Sequence, residues 1–488
     1  MYIKRVELTN IRCFEHIESD LSSDGDIRKW AVILGDNGVG KTTLLRSIAL
    51  ALGDRESAAA LLRDLPGEWV RRESADKRGT IRIDFSNEQI PGETCYTRIV
   101  IRNDSGRETI DEYDNMPKNF PWNDIFACGY GAARGIIGTR SYQEYRTIDS
   151  VYSLFDYELS LQNAELTLRR LETSGGLELS DILQSFDQIL LLPPGSTTLT
   201  KSGICISGPW GEFMSIDSIG DGYRATLAWL VDFLGWAMFH YDSVVSRDHI
   251  AGIVLIDELE QHLHPRWQRK IMTLLHEQFR TTQFIATTHS PLCAAGTADL
   301  DDTNYLLVKF QRSDDQSSVR STVLHSLRGL RADQVLTSAA FDLSETRNTE
   351  IETKLKKFRE LLLKETLNDD EEKELQDLRE YVTKEVPDLA EREEDRILAQ
   401  ELQQWLLGEK ASRPSKGGSD VNKNDLVAAV AGKTGLSKAD SASAVDSVFD
   451  AITEAEGRNP RTGERFHVTV SKQPKFKAGK GLKDSVNK

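Results

Sequence analysis

The chain has 488 residues, 39% hydrophobic and 28% charged, with 61 Lys+Arg against 77 Asp+Glu for a net charge of −16. That length gives two or three domains with sizeable cores. The five cysteines, Cys13, Cys95, Cys128, Cys205 and Cys293, show no paired spacing and no signal peptide opens the chain, which argues against a disulfide framework and for free thiols in the cytoplasm.

In chain order, an N-terminal strand over Tyr2 to Leu8 leads to Asn10-Ile11-Arg12-Cys13-Phe14. The apolar run Ala31-Val32-Ile33-Leu34 is followed by Gly35-Asp36-Asn37-Gly38-Val39-Gly40-Lys41-Thr42 and a helical stretch from Thr43 to Leu52. This is the strand, glycine-rich loop and helix of a P-loop. Backbone N–H groups of such a loop, here Asn37, Gly38 and Gly40 through Thr43, point at phosphate oxygens, and the helix N-terminus adds partial positive charge. Lys41 then reaches the β- and γ-phosphates of ATP, and Thr42 places its hydroxyl on Mg²⁺.

Residues 1 to about 150 alternate short apolar runs, such as Ile81 to Phe85 and Arg98 to Ile101, with turn residues, which predicts a β-rich first lobe. From about 150 to 185 apolar residues fall at helical spacing, from Leu154 and Phe155 through Leu166, Leu168 and Leu171, and predict a helical lobe. Ala225 to Tyr241 is mostly apolar but short for a membrane span and contains Asp232, so it reads as a buried helix.

Gly252-Ile253-Val254-Leu255-Ile256 then ends in Asp257-Glu258, and Phe284-Ile285-Ala286-Thr287-Thr288 delivers His289-Ser290-Pro291. Asp257, at the end of a buried strand, is placed to hold the metal; Glu258 is placed to orient or deprotonate the attacking water. His289 has two readings, a buried structural histidine and a γ-phosphate sensor, and its place after the strand favours the second. His262 and His264 tempt a zinc reading, but no second ligand pair lies nearby and a loop shaping the nucleotide interface fits better. Tyr305 to Val308 closes the core near residue 330.

These runs resemble the ABC-type ATPase head, in the group of RecF, SMC and overcoming-lysogenization-defect ATPases. The resemblance implies an α/β, ABC-type P-loop NTPase head with a β-rich first lobe and a helical lobe, over about residues 1–340. It implies a sandwich of two heads, each nucleotide lying between one P-loop and the partner's signature. Ser218-Ile219-Gly220-Asp221-Gly222-Tyr223-Arg224 resembles that signature in the Ser-Asp-Gly-Tyr-Arg form, with Ser218, Gly220, Asp221 and Gly222 acting in trans. Gly220 stands where the usual serine aligns, so a hydroxyl contact is lost. Arg12 matches an arginine common near the nucleotide, although a solvated surface arginine is an equal reading. Gly129 to Arg134 falls where the lobe-connecting loop is expected, and Gln143 is the nearest candidate for its glutamine. No long coiled coil separates P-loop from signature, unlike SMC proteins. Leu330 to Ser338 with Phe341-Asp342-Leu343 resembles ATPase subunits of Septu-type and retron-associated phage-defence systems.

Residues 350 to 410 hold 11 Lys+Arg against 19 Asp+Glu and predict a charged helical segment, with Lys354 to Leu363 and Glu371 to Val382 pairing around Asn368 to Asp370. It reads either as a solvated hairpin or as a docking surface. A flexible linker occupies about 411–421. Residues 411–488 reverse the charge, with 14 Lys+Arg against 9 Asp+Glu, which points to a polyanion partner. Residues 422–488 resemble the bacterial histone-like HU family, a small α+β module. Gly457-Arg458-Asn459-Pro460-Arg461-Thr462-Gly463 matches its DNA-embracing arm, and Phe476 to Lys480 its last strand. The resemblance implies that Pro460 wedges between base pairs while Arg458, Asn459, Arg461, Lys475, Lys477 and Lys480 contact DNA. About twenty residues that form two strands of the saddle are missing before Gly457.

Taken together, these readings predict a cytoplasmic Mg²⁺- and ATP-dependent ATPase, nucleoid-associated through its tail, that pairs with itself, binds DNA, and gates a nuclease in another chain. Asp299 and Asp301 have Asp-x-Asp spacing but no apolar strand precedes them, which argues for a separate nuclease. A RecF-like repair ATPase and an ATP-regulated DNA-architectural protein remain alternatives.

Overall fold

Strands that lie buried on both faces sort their side chains by alternation, and five runs here do so. Val32 and Leu34, Val254 and Ile256, Phe284 and Ala286, Cys128 and Tyr130, and Tyr305 and Leu307 face one core; Ala31 and Ile33, Ile253 and Leu255, Ile285, Ala127, and Leu306 and Val308 face another. In this computed structural model those five runs and an edge strand form a six-stranded sheet. Its order is Val319–Val323, Tyr305–Arg312, Trp30–Gly35, Gln283–Thr287, Ile253–Ile256, Ala127–Tyr130, parallel throughout except for the antiparallel Val319–Val323 edge. The P-loop strand therefore lies beside the strand that precedes His289, with the strand that ends at Asp257 next to it.

The structure describes residues 1–385, apart from 24, 65–66, 87–94, 135–137, 139, 157, 174–177, 202, 242–245, 314–317, 331, 344–347 and 365–367. The described residues fall in two compact units, one over Met1–Asn348 and one beginning at Thr349. The linker, the HU-like region and its DNA-contact residues Arg458, Asn459, Pro460, Arg461, Lys475, Lys477 and Lys480 lie outside the described residues.

In the first unit, the P-loop helix Lys41–Ala51 fills the space between the six-stranded sheet and a five-stranded antiparallel sheet. That second sheet has the order Phe14–Asp20, Tyr2–Ile11, Arg78–Ser86, Cys95–Asp104, Arg107–Met116. Leu44, Leu45 and Ile48 of the helix share one core with Ile3, Val6, Leu8, Ile81, Ile83 and Ile99 of the sheet. Each such side chain contributes roughly 1.5–3 kcal/mol by leaving water. This is the β-rich first lobe.

On the opposite face packs the twenty-residue helix Asp221–His240, buried from Ala225 to Ala237. No described helix is long and apolar enough to cross a membrane. The buried Asp232 of this helix accepts from the Tyr130 hydroxyl at 3.0 Å and from the Gln162 N–H at 2.9 Å. Burial pushes its carboxyl up to about 6. Helices Ala164–Thr173 and Leu179–Ile189 and a three-stranded sheet over Thr197–Ser215 complete this side.

Two details differ from the sequence reading. Leu154 and Phe155 belong to the core under the first lobe instead of continuing the later helix, and Leu166 is 48% exposed while Leu168 and Leu171 are buried. After Phe155 the helices of the expected stretch are Ala164–Thr173 and the start of Leu179–Ile189. Likewise Ala127–Tyr130, which takes in the first two residues of the expected lobe-connecting loop Gly129 to Arg134, is the edge strand of the sheet, paired from Ile253↔Ala127 to Ile256↔Tyr130. Its buried Cys128 and Tyr130 outweigh the weakness that glycine brings to a strand. Gln143 is exposed on the loop that follows.

The second unit is described as two helices, Thr349–Leu363 and Asp369–Glu385. Asn368 Oδ1 accepts from the Glu371 N–H at 2.9 Å while Glu371 accepts from the Asn368 N–H at 3.2 Å, a reciprocal cap that starts the second helix. Lys357–Glu374 pairing and Lys354 over the Tyr381 ring join the two helices.

Candidate nucleotide site

The loop after Trp30–Gly35 needs backbone that only glycine adopts easily. Gly40 has φ 91°, and a Cβ there would lie 2.4 Å from Cys13 Sγ. The chain enters the helix at Lys41, whose ammonium donates to the carbonyls of Gly35 at 2.8 Å and Asp36 at 3.0 Å. Burial pulls that ammonium below its ordinary value, against the attraction of Asp257, Glu258, Glu260 and Asp36. Asn37 and Gly38 are exposed on the loop, and Thr43 is buried behind it.

Asp257 is 3% exposed and held from three sides. Thr42 Oγ1 donates to Asp257 Oδ2 at 2.7 Å, Thr287 Oγ1 donates to Asp257 Oδ1 at 2.6 Å, and the Asp257 N–H donates to Tyr130 O at 2.8 Å. A hydroxyl and a carboxylate in contact form a hard oxygen donor set, which fits Mg²⁺. Thr287 also accepts from the Glu258 N–H at 2.8 Å, so one threonine fixes both acids. Glu258 turns the chain with φ 51° in the left-handed region, which costs a non-glycine residue on the order of 1 kcal/mol. The His289 N–H donates to Glu260 Oε1 at 2.6 Å, and Ser290 caps the helix Pro291–Gly296 through the N–H groups of Leu292 and Cys293.

Beside the loop is an open cavity of about 300 Å³ lined by Arg12, Arg312, and Arg71 and Arg72, which pair with Glu73 at 3.4 Å and Glu68 at 2.9 Å in the same lining. The Arg12 guanidinium lies 4.6 Å from the Trp69 ring centroid, and its Nε donates to Glu68 O at 3.3 Å. Arg312 reaches within 3.7 Å of where a Gly38 Cβ would stand. Arg12 stands out in the sequence, whereas Arg71, Arg72 and Arg312 do not, because strand-end and loop arginines carry no distinguishing spacing.

Ser218 ends a 3₁₀ turn, Gly220 is the N-cap of the helix Asp221–His240, and Ser218, Gly220 and Asp221 are exposed. Gly222 packs so closely on the loop after Glu258 that a Cβ would lie 2.4 Å from His262 O. His264 Nδ1 accepts from the Arg266 N–H at 3.3 Å and so caps the short helix Pro265–Gln268; His262 is exposed. Among the described residues no histidine, cysteine or acidic cluster could hold a further metal. Asp299 pairs with Arg269.

The parallel sheet, the P-loop beside Asp257 and the helix with an exposed glycine N-cap define an α/β P-loop nucleotide-binding head. Residues 31–294 match the family described as "AAA domain, putative AbiEii toxin, Type IV TA system", more than half of the chain, and the protein belongs to that family. Residues 453–487 match the bacterial DNA-binding protein family. Septu protein PtuA of Bacillus mycoides is 25% identical over 355 residues, covering 71% of this chain and 45% of its own length. The chain thus spans about half of that relative. DNA-binding protein HRm of Rhizobium meliloti is 46% identical over 90 residues, 14% of this chain and 100% of its own length. DNA-binding protein HU of Geobacillus stearothermophilus is 44% identical over 89 residues, 14% of this chain and 99% of its own. Since 14% of 488 residues is about 68, some twenty aligned positions have no counterpart here. Among solved structures, an Smc head bound to the C-winged helix domain of ScpA gives a TM-score of 0.44 at 17% identity, covering 67% of this chain and 98% of that one. The SMC head domain from Thermotoga maritima gives 0.40 at 14%, covering 67% and 100%.

Proposed function

We propose that the chain hydrolyses ATP and couples that hydrolysis to DNA bound by its C-terminal module. The observation that carries this reading is the contact of Thr42 with Asp257, with Glu258 following in a turn fixed by Thr287. Lys41 holds the β- and γ-phosphates, and the N–H groups of Asn37 to Thr43 cradle them. Thr42 and Asp257 would hold Mg²⁺, which when bound would supply positive charge against the phosphates. Glu258 positions the attacking water and takes its proton, and His289 contacts the γ-phosphate. Arg12 and its neighbouring arginines line the wall beside the nucleotide. Ser218, Gly220, Asp221 and Gly222 of a second copy complete the site, so ATP favours a dimer.

The similarity to a Septu protein supports a defence role in which this ATPase gates a nuclease effector carried by another chain. The match of the tail to HU proteins supports DNA as the ligand sensed, through Arg458, Pro460, Arg461 and the lysines near Lys477. The test is ATP turnover by the full chain with and without duplex DNA, alongside affinity capture from its native host. A stoichiometric nuclease partner supports gating. DNA-stimulated turnover with no partner supports instead a repair ATPase that acts on DNA directly.

A further inference from the structure

Arg134 is 5% exposed, and all of its side-chain hydrogen bonds end on backbone carbonyls. Nη1 donates to Asp257 O at 2.6 Å and to Gly131 O at 3.3 Å; Nη2 donates to Glu258 O at 2.9 Å and to Leu259 O at 3.2 Å. Among the described residues no carboxylate stands at ion-pair distance from it. A buried cation without a carboxylate is costly, so its position has to be repaid by what it holds.

What it holds is unusual. In extended chain successive carbonyls point to opposite sides, and three in a row reach one cation only if the backbone turns. The turn is made at Glu258, the residue with φ 51°. Three converging carbonyl dipoles repel one another, and the planar guanidinium fork satisfies all three at once. Burial draws Arg134 down to about 10, with Glu260, Asp257 and Glu258 favouring its charged form, so it stays cationic at neutral pH. The same side chain lines a small cavity with Ala225, Thr226 and Trp229 of the helix that begins at the signature.

We propose that Arg134 is a positioning residue for hydrolysis: it holds the Asp257–Glu258–Leu259 turn in the one conformation that aims the Glu258 carboxylate at the attacking water. The proposal rests on the hydrolytic reading above. Lysine offers a single nitrogen and cannot span the three carbonyls, so Arg134→Lys keeps the charge and loses the geometry.

The experiment measures Mg²⁺-ATP turnover and thermal melting of the full chain in wild type, Arg134→Lys, Arg134→Gln, Glu258→Gln and the Arg134→Lys/Glu258→Gln pair. Misplacement of a catalytic group by about 1 Å costs roughly 100-fold, so Arg134→Lys is expected to lower kcat about 10- to 100-fold while KM for ATP stays within about threefold. In the Glu258→Gln background the same substitution is expected to lower kcat no further, because the group it positions is already gone. An equal loss in both backgrounds, a rise in KM with kcat unchanged, or failure of both Arg134 variants to fold overturns the proposal. If Glu258→Gln itself turns over like wild type, the hydrolytic reading fails and takes this one with it; a normal Glu258 effect with wild-type turnover in Arg134→Lys removes this one alone.

Discussion

The Thr42 hydroxyl donates to Asp257 Oδ2 at 2.7 Å, joining residues 215 positions apart in the chain. The contact exists because the P-loop strand and the Asp257 strand flank Gln283–Thr287 in one parallel sheet, so their C-terminal ends open on the same crevice.

Asp257→Asn replaces an oxygen facing the Thr42 or Thr287 hydroxyl with an N–H donor and removes the charge of the donor set. We expect Mg²⁺-dependent ATP affinity to fall at least about tenfold, equivalent to about 1.4 kcal/mol, with Mg²⁺-independent nucleotide binding less affected. Titration calorimetry with and without Mg²⁺ checks this.

The glycines of the signature are expected to respond differently. A Cβ at Gly222 would meet His262 O at 2.4 Å, whereas one at Gly220 would meet nothing within 4 Å. Gly222→Ala should therefore cost about 1–3 kcal/mol by overpacking. Gly220→Ser should change stability by less than about 0.5 kcal/mol. Under the proposed pairing of two heads it also supplies the hydroxyl that the resembled signature carries at this position, and is expected to tighten ATP-dependent dimerisation. Melting curves and light scattering with ATP separate the two effects.

Asp232 sets a pH dependence. Burial raises its carboxyl to about 6 in the fold, above the ordinary aspartate value, so between roughly pH 4 and 6 the folded chain holds the proton more often than the unfolded one. Its contribution therefore falls as pH rises through that window, by on the order of 3 kcal/mol in total. Asp232→Asn is expected to flatten the window, since Asn Oδ1 still accepts from Gln162. Urea unfolding at pH 4.5 and 7 measures the difference.

Much of the site was legible because its parts are short and contiguous. The P-loop, Ile253 to Glu258 and the run up to His289 each place a chemical group at the end of an apolar strand. Thr287 stood inside a quoted run, but its double role needs the neighbouring strand. Arg134 was equally visible in Gly129 to Arg134, yet its partners are carbonyls 123 to 125 residues away, and contacts to backbone leave no pattern in side-chain identity. The Ala127–Tyr130 strand was hidden for a related reason: four residues with a glycine gain their structure only from Ile253–Ile256 beside them.

Arg312 approaches the P-loop at Gly38 from the end of its strand. Arg312→Ala is expected to weaken ATP binding about 3- to 10-fold, the loss of one charge-assisted contact, with the melting temperature essentially unchanged. Fluorescent-nucleotide binding at two salt concentrations checks both the loss and its electrostatic origin.

The most direct test of the central claim is single-turnover ATP hydrolysis by wild type and Glu258→Gln, with enzyme in saturating excess over Mg²⁺-ATP. We expect the substitution to slow hydrolysis by about 10²- to 10⁴-fold while ATP binds within about threefold of wild type. Equal rates in the two proteins would contradict the assignment of Glu258 and, with it, of this crevice as a hydrolytic site.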